Sequence, residues 1–239
     1  MASPRFYTPN ALSLGMHTLD KDASHHARVL RLRVGDALVL FNGDGAAYPA
    51  KIMSLDSLVC VEVSEAATNN LELPFELHIA QALIEPSKMD WVLEKCVELG
   101  VAGVQPIAAA RSVTKLDEAR AAKRLAHWHA ISIAASQQCG RNRLMSVAAP
   151  QSLAQCVAAH PNICHVLLHP EGGQSLQAFC ASRAPQSLML WVGPEGGWTE
   201  SELAALASAG AQRVSFGARV LRTETAALAV AAGLQALWG

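Results

Sequence analysis

The chain has 239 residues, of which 51% are hydrophobic and only 16% charged, with 19 basic against 20 acidic side chains and a formal net charge of −1. At about 100–200 residues per domain this is one large domain or two modest ones, and the composition excludes a disordered chain or a coiled coil. A nearly neutral total also excludes a chain coated in base, so any site for a polyanion must be local.

In chain order, the first stretch alternates short apolar runs with turn residues. Ala37–Phe41 reads as a strand leading into Asn42-Gly43-Asp44-Gly45, a strong hairpin signal. Ala50–Met53 and Leu58–Val63 read as further strands, and Asn69-Asn70 and Pro74 punctuate the end of the block. Residues 1–73 are therefore expected to form a small β-rich domain.

From 74 to 239 the pattern changes. Glu76–Leu83 reads as a strand. Met89, Val92, Leu93, Cys96 and Val97 then recur at helical spacing, with Gly100 placed to end the helix. Val104–Ala108 is a strand, and a long helix is expected from Asp117 to Cys139, closed by Gly140. Further strands are expected at 163–168, 188–192 and 214–216, each followed by a helix, at 175–181, 199–207 and 223–237. Thr199-Glu200-Ser201-Glu202 is a capping box. Strands alternating with helices predict an α/β domain with a mostly parallel sheet covered on both faces.

The longest apolar run, Ala226–Leu234, has nine residues, whereas a membrane helix needs about 20. The N-terminal residues lack the apolar core of a signal peptide, so a cytoplasmic chain with no membrane partner is expected. Cys60, Cys96, Cys139, Cys156, Cys164 and Cys180 contain no C-x-x-C pair and are expected as small buried hydrophobes. His25-His26 and His127-x-His129 do not place two rings on one helix face, so no metal site is expected.

In open α/β sheets ligands bind beyond the carboxyl ends of the strands. Three such ends stand out: 167–173, with His169-Pro170-Glu171-Gly172-Gly173; 191–197, with Gly193-Pro194-Glu195-Gly196-Gly197; and 217–225, with Arg219-Val220-Leu221-Arg222-Thr223-Glu224-Thr225. Neither G-x-x-x-x-G-K-[ST] nor G-x-G-x-x-G occurs, so a P-loop or an NAD-type site is unsupported. Positive charge is concentrated in two stretches. Residues 1–35 carry five basic against two acidic residues, a local +3, and residues 111–143 carry seven against two, a local +5. Such patches suit a phosphate backbone, although residues 115–124 also read as an ordinary solvated helix face.

These pieces resemble a known family. Pro4-Arg5-Phe6-Tyr7, His26-Ala27-Arg28-Val29-Leu30-Arg31, Lys88-Met89-Asp90, Glu98-Leu99-Gly100-Val101, Gln138-Cys139-Gly140-Arg141-Asn142-Arg143, Gly193-Pro194-Glu195-Gly196-Gly197 and Arg219–Ala226 are similar to the RsmE-type bacterial 16S ribosomal RNA (uracil-N3) methyltransferases. That family belongs to the SPOUT class of knotted methyltransferases. The last two motifs in tandem are the most specific, and the N-terminal ones select this family within the class. Two departures stand out: Leu144-Met145 where the family commonly has a proline, and Glu85-Pro86-Ser87 before Lys88.

The resemblance implies an N-terminal PUA-like β-barrel at 1–73 and a C-terminal SPOUT α/β domain with a deep trefoil knot at 74–239. It also implies a homodimer that uses S-adenosylmethionine, without a metal, to methylate N3 of uridine 1498 in 16S rRNA, within an assembled 30S subunit. Leu168, His169, Gly193, Gly196, Gly197, Gly217, Leu221, Arg222 and Thr223 would then enclose the cofactor. Arg222, Glu195 and Arg141 would serve the reaction, Glu195 as proton acceptor or orienting group and an arginine at the uracil oxygens. Arg5, Arg28, Arg31, Lys88, Arg111, Arg141 and Arg143 would contact RNA. Two rival readings stay open: an enzyme of this fold acting on tRNA, and a non-catalytic RNA-binding assembly factor.

Overall fold

The computed structural model describes residues 3–68 and 70–239. Met1, Ala2 and Asn69, the last expected to help punctuate the end of the first block, lie outside the described residues. The chain forms two compact units, Met1–Glu72 with Ile133–Leu144, and Leu73–Ser132 with Met145–Gly239.

In the first unit, β1 (Arg5–Tyr7), β2 (Gly15–Thr18), α1 (Lys21–Val29), β3 (Ala37–Phe41), β4 (Ala46–Leu55), β5 (Val59–Val63) and β6 (Ala67–Thr68) succeed one another. The sheet order is β1-β3-β4-β5-β2, with β6 on β4. The hairpin forms where Asn42–Gly45 demands it. Asn42 Oδ1 accepts from the Asp44 N–H at 3.1 Å, and Asp44 accepts from the Ala46 N–H and the Tyr48 hydroxyl at 2.7 and 2.6 Å. Burial raises the Asp44 pKa, but the hydrogen bonds from Tyr48 and Ala46 outweigh it and hold the carboxyl below its usual range.

β4 begins four residues before the expected Ala50 and runs through Pro49. Pro49 pairs with Val39, whose N–H is donated to Pro4 on its other side, so the missing proline donor costs this ladder nothing. Val59, Val61 and Val63 alternate inward on Phe6, Leu38, Leu40 and Ile52. Helix α1 buries only the small residues Ala23, Ser24 and Ala27, so no large apolar side chains mark its inner face in the sequence. Its start is fixed by Asp20, which accepts from the Ala23 N–H at 2.8 Å.

In the second unit, β7 (Leu77–Ala82), α2 (Pro86–Glu98), β8 (Gly103–Ile107), α3 (Glu118–Cys139), β9 (Ser146–Val147), α4 (Leu153–Ala159), β10 (Cys164–Leu168), β11 (Gln174–Ser175), α5 (Leu176–Ala181), β12 (Leu188–Val192), α6 (Glu200–Ser208), β13 (Gln212–Ser215) and α7 (Thr223–Trp238) come in order. The strands pair in the order β11-β13-β10-β12-β7-β8-β9, and every pairing is parallel. β8 and β12 are buried along their whole length, as expected of strands covered on both faces.

Successive side chains point to opposite faces. Ala80, Met189 and Trp191 join a core with Leu153 and Cys156 of α4 and Leu206 of α6. On the other side α7 packs against α2, α5, β7 and β12. The expected face of α2 (Met89, Val92, Leu93, Cys96, Val97) is buried. Pro86 occupies its first turn, so the Glu85-Pro86-Ser87 departure is a helix start. The Thr199 capping box forms, and a second one, Ser152 with Gln155, starts the short and unexpected α4.

The observed units divide one residue before the expected 73/74 and differ from that division in one further segment. Residues 133–144, the last turns of α3 and the loop beyond it, pack with the first unit. Gln137 Oε1 accepts from the Tyr7 N–H at 3.0 Å, and Asn142 Oδ1 accepts from Arg5. A boundary drawn along the chain cannot show a segment that returns.

Candidate active site

β13, β10 and β12 are neighbours in the second unit's sheet and run parallel, so the loops after them open at one edge. There they enclose a cavity of about 460 Å³, within the range of small-molecule sites. His169, Gly193, Gly197, Leu221, Arg222 and Thr223, all expected at the cofactor, line it. Leu168 and Gly217 line a smaller adjoining cavity of about 60 Å³ that shares His169 and Leu221.

The loops are tied to one another. Thr223 donates its hydroxyl to the Gly193 carbonyl at 2.6 Å and accepts from the Gln81 amide of β7 at 3.1 Å. A side chain at Gly193 would place its Cβ 2.9 Å from Trp198 Nε1, so only glycine lets the indole close over this loop. Gln81 and Trp198 were not anticipated. The one signal in the sequence was that Trp198 directly follows the glycine run.

A charged cluster sits in the wall. Lys88 Nζ lies 3.7 Å from Glu224 Oε1 and 3.9 Å from Glu195 Oε1. Lys88, expected at RNA, therefore stands between the two carboxylates of the pocket. Glu224 occupies the first turn of α7, where the helix dipole favours a carboxylate. Its Oε2 and the Trp198 Nε1 are buried without a hydrogen-bond partner among the described residues. Buried polar atoms are normally satisfied, so an unpaired acceptor and an unpaired donor in one pocket wall fit a polar ligand there. The two oriented atoms, the glycine loops and the volume are compatible with a nucleoside-sized molecule that carries a cationic group.

Several expected residues lie elsewhere. Gly196 does not line this cavity. Its carbonyl accepts from Arg111 Nη1 at 3.1 Å, and Arg111 also reaches the Trp198 carbonyl at 3.4 Å. Arg111, expected at RNA, is thus a brace for the Gly193–Trp198 loop. Arg141, expected among the reacting groups and at RNA, is buried in the first unit with its guanidinium bonded to the Glu72 carboxylate. The bonds from Nε and Nη2 to Glu72 fix the position of the Arg141 guanidinium within the first unit.

Arg5 is held in the same way. It donates to Asn142 Oδ1 and to the Arg141 carbonyl and lies over the Phe41 ring, and burial lowers its pKa. Arg28 donates to the Asp56 and Ser57 carbonyls. Arg31 is exposed, with a left-handed φ of 57°. Arg143 is exposed and lines a first-unit cavity of about 450 Å³ with Asp44 and Glu72.

Among the described residues no group of three or more His, Cys, Asp or Glu is placed to hold a metal ion, and no helix is long and apolar enough to cross a membrane. His127 bonds Asp90, and His129 bonds the Val147 carbonyl. No disulfide forms among the described residues. Cys96, Cys156 and Cys180 are buried, while Cys60, Cys139 and Cys164 are only half-buried. Burial pushes the Cys156 thiol up to about 11, which makes it inert rather than nucleophilic.

Two family matches divide the chain: an RNA methyltransferase domain over residues 71–235 and an RNA methyltransferase PUA domain over residues 19–63. Ribosomal RNA small subunit methyltransferase E of Bacillus subtilis is 35% identical over 222 residues, covering 87% of this chain and 84% of its own length. Among solved structures, ribosomal RNA small subunit methyltransferase E from Neisseria gonorrhoeae bound to S-adenosyl methionine superposes with a TM-score of 0.93. It is 36% identical and covers 100% of this chain and 99% of its own. A Legionella pneumophila methyltransferase in complex with the same cofactor gives a TM-score of 0.92 at 34% identity, covering 99% and 98% of the two chains.

Proposed function

Starting from the chain's membership of the ribosomal RNA small subunit methyltransferase E family, we propose that it transfers a methyl group from S-adenosylmethionine to N3 of uridine 1498 in 16S rRNA. The observation that carries this reading is the cavity at the strand ends, with three glycine-bearing loops, two carboxylates and one lysine. The reading includes the PUA-like first unit as an RNA holder, the knotted path, a homodimer acting on the assembled 30S subunit, and a cytoplasmic site of action.

S-adenosylmethionine supplies an electrophilic methyl on a sulfonium centre. Backbone groups of Leu168, Gly193, Leu221 and Thr223 would hold the adenine and ribose, with the Leu221 side chain available to the base. The Glu224 Oε2 atom, buried without a hydrogen-bond partner among the described residues, would accept from the ligand's ammonium. Uracil N3 carries a proton that must leave for it to act as nucleophile. Glu195, in the wall at Lys88, orients the base or accepts that proton. Arg222, exposed at the start of α7, donates to a uracil oxygen as negative charge develops. N3 lies on the pairing edge, so the uridine has to be unpaired or flipped out. The Gly193–Trp198 loop, braced by Arg111, would help keep the reacting groups in line, and such positioning contributes several kcal/mol.

The test is methyl transfer to small subunits from a strain that lacks this modification, with mass mapping of the product. One methyl at N3 of that uridine is expected. A methyl on tRNA would move the reading to another RNA, and absence of calorimetric binding of S-adenosylmethionine would leave an RNA-binding factor.

A further inference from the structure

The middle of the +5 stretch has found no role so far. Arg120, Lys123, Arg124 and His127 stand at i, i+3, i+4 and i+7 on α3, which places them on one side of the helix. With Lys115 and Thr114 from the preceding segment and Pro86 at the start of α2, they line a groove of about 590 Å³ within the second unit. No carboxylate lines it. Asp117 reaches Arg120 Nε at 3.3 Å, but both side chains are largely exposed, so the pair is weak. Asp90 bonds His127 at 2.9 Å. Lys115, Lys123 and Arg124 have no ion pair among the described residues.

A face built only for solubility mixes its signs at i, i+4. Here cations neighbour cations at i+3 and i+4, an arrangement that weakens a helix, and they line a concavity rather than a convex face. Like charges around a concave wall focus the field on a counter-ion. Arg120 to His127 covers about 10 Å of helix axis, more than one phosphate group spans. The lining offers little to a protein partner, which anchors on buried aromatic and apolar groups. Leu116 and Pro86 are its apolar members, and the Thr114 hydroxyl is already donated to the Ile84 carbonyl at 2.8 Å.

We propose that this groove binds the phosphodiester backbone of the RNA substrate, with Lys115, Arg120, Lys123 and Arg124 contacting successive phosphates independently of sequence. Such contacts position the RNA and do not read bases. The inference rests on the reading of the chain as an enzyme of RNA, and not on which base it methylates.

The test uses the full chain carrying Lys123→Glu with Arg124→Glu, and a milder Lys123→Gln with Arg124→Gln pair as a control against misfolding. Affinity for protein-free 16S rRNA is measured across a salt series, KM and kcat are measured with small subunits, and S-adenosylmethionine binding is measured by calorimetry. The charge reversal is expected to weaken RNA binding at least tenfold at low salt and to flatten the log–log salt dependence by roughly 0.7–0.9 for each phosphate no longer neutralised. The neutral pair falls between it and wild type. KM rises, while kcat at saturation and cofactor binding stay unchanged.

An unchanged affinity and salt slope overturn the proposal. So does a loss confined to whole subunits with protein-free RNA bound normally, which assigns the groove to a protein partner. Wild-type protein that transfers no methyl to rRNA, while the RNA affinity difference persists, removes the functional reading and leaves the groove standing.

Discussion

Two sets of cations, one from each unit, are used in opposite ways. In the first, Arg141 is buried against Glu72, and Arg5 is bonded to Asn142 and stacked on Phe41. In the second, Lys123 and Arg222 reach solvent and Arg124 is half-exposed, and none of the three has an ion pair among the described residues. The units differ in their supply of acceptors: a guanidinium drawn into a wall must be met by carboxylate or carbonyl oxygens, after which it holds the fold. A cation left without such partners stays available to a ligand. A charge count along the sequence treats 111–143 as one patch. The structure divides it into a loop brace (Arg111), an open groove (115–127) and a scaffold arginine (Arg141).

The sharpest break between the two classes is catalytic. Arg222→Ala is expected to lower methyl transfer by about 10³-fold, or about 4 kcal/mol, the loss typical of one donor to a developing oxyanion. The thermal midpoint should not move, because the side chain is exposed. Wild-type turnover in this variant would remove Arg222 from the reacting groups. Arg141→Ala should do the reverse. It leaves Glu72 without its buried partner and is expected to cost about 3 kcal/mol of stability, read as a lower urea midpoint. A variant of normal stability with abolished transfer would return Arg141 to the chemistry and erase the contrast between the units.

How much of this was legible in the sequence depends on the range of each signal. The hairpin at Asn42–Gly45, the apolar face of α2 and the capping box at Thr199 are local patterns, and each formed within a residue or two of its expected place. The three glycine-bearing loops were legible as strand ends, because strand–helix alternation implies a parallel sheet with one ligand-binding edge. The pairing of Lys88 with Glu195 and Glu224 was not legible, because it lies far along the chain from both and only the fold brings it to them. Gln81 is hidden in an apolar strand, and its tie to Thr223 is a contact across 142 positions. The Arg141–Glu72 pair was hidden for the same reason, since Glu72 carries no local mark. Helix α4 escaped notice because at seven residues it is too short to show a period.

A smaller effect probes the same rule inside the first unit, at an acid rather than a base. The Asp44 carboxyl, opposed by burial but outweighed by donors from Tyr48 and Ala46, sits below its usual range. Its folded pKa is depressed, so the stability it contributes is present above the unfolded value and is lost as the pH falls through the folded one. Tyr48→Phe deletes one donor and is expected to cost about 1 kcal/mol near neutral pH. It should also shrink the acid-side loss below about pH 4, measured as denaturation midpoints from about pH 2 to 7. An unaltered acid limb would mean that Ala46 and the remaining donors hold the carboxylate unaided.

The smallest expected stability change lies on the other side of the comparison. Arg120 pairs with Asp117 at i,i+3, 3.3 Å apart, but its side chain is 75% exposed and that of its partner 60%. Water screens such a pair, and ordering two long side chains offsets most of the attraction, so Arg120→Ala should change stability by less than about 0.5 kcal/mol. The same substitution takes one cation from the groove, so RNA affinity should still fall and its salt dependence should flatten by less than about one unit. Stability held while affinity drops is the mirror image of Arg141→Ala. A stability loss above about 1 kcal/mol at Arg120 would instead mean that it, like Arg111, is built into the fold. Exposure would then no longer separate scaffold arginines from ligand-facing ones.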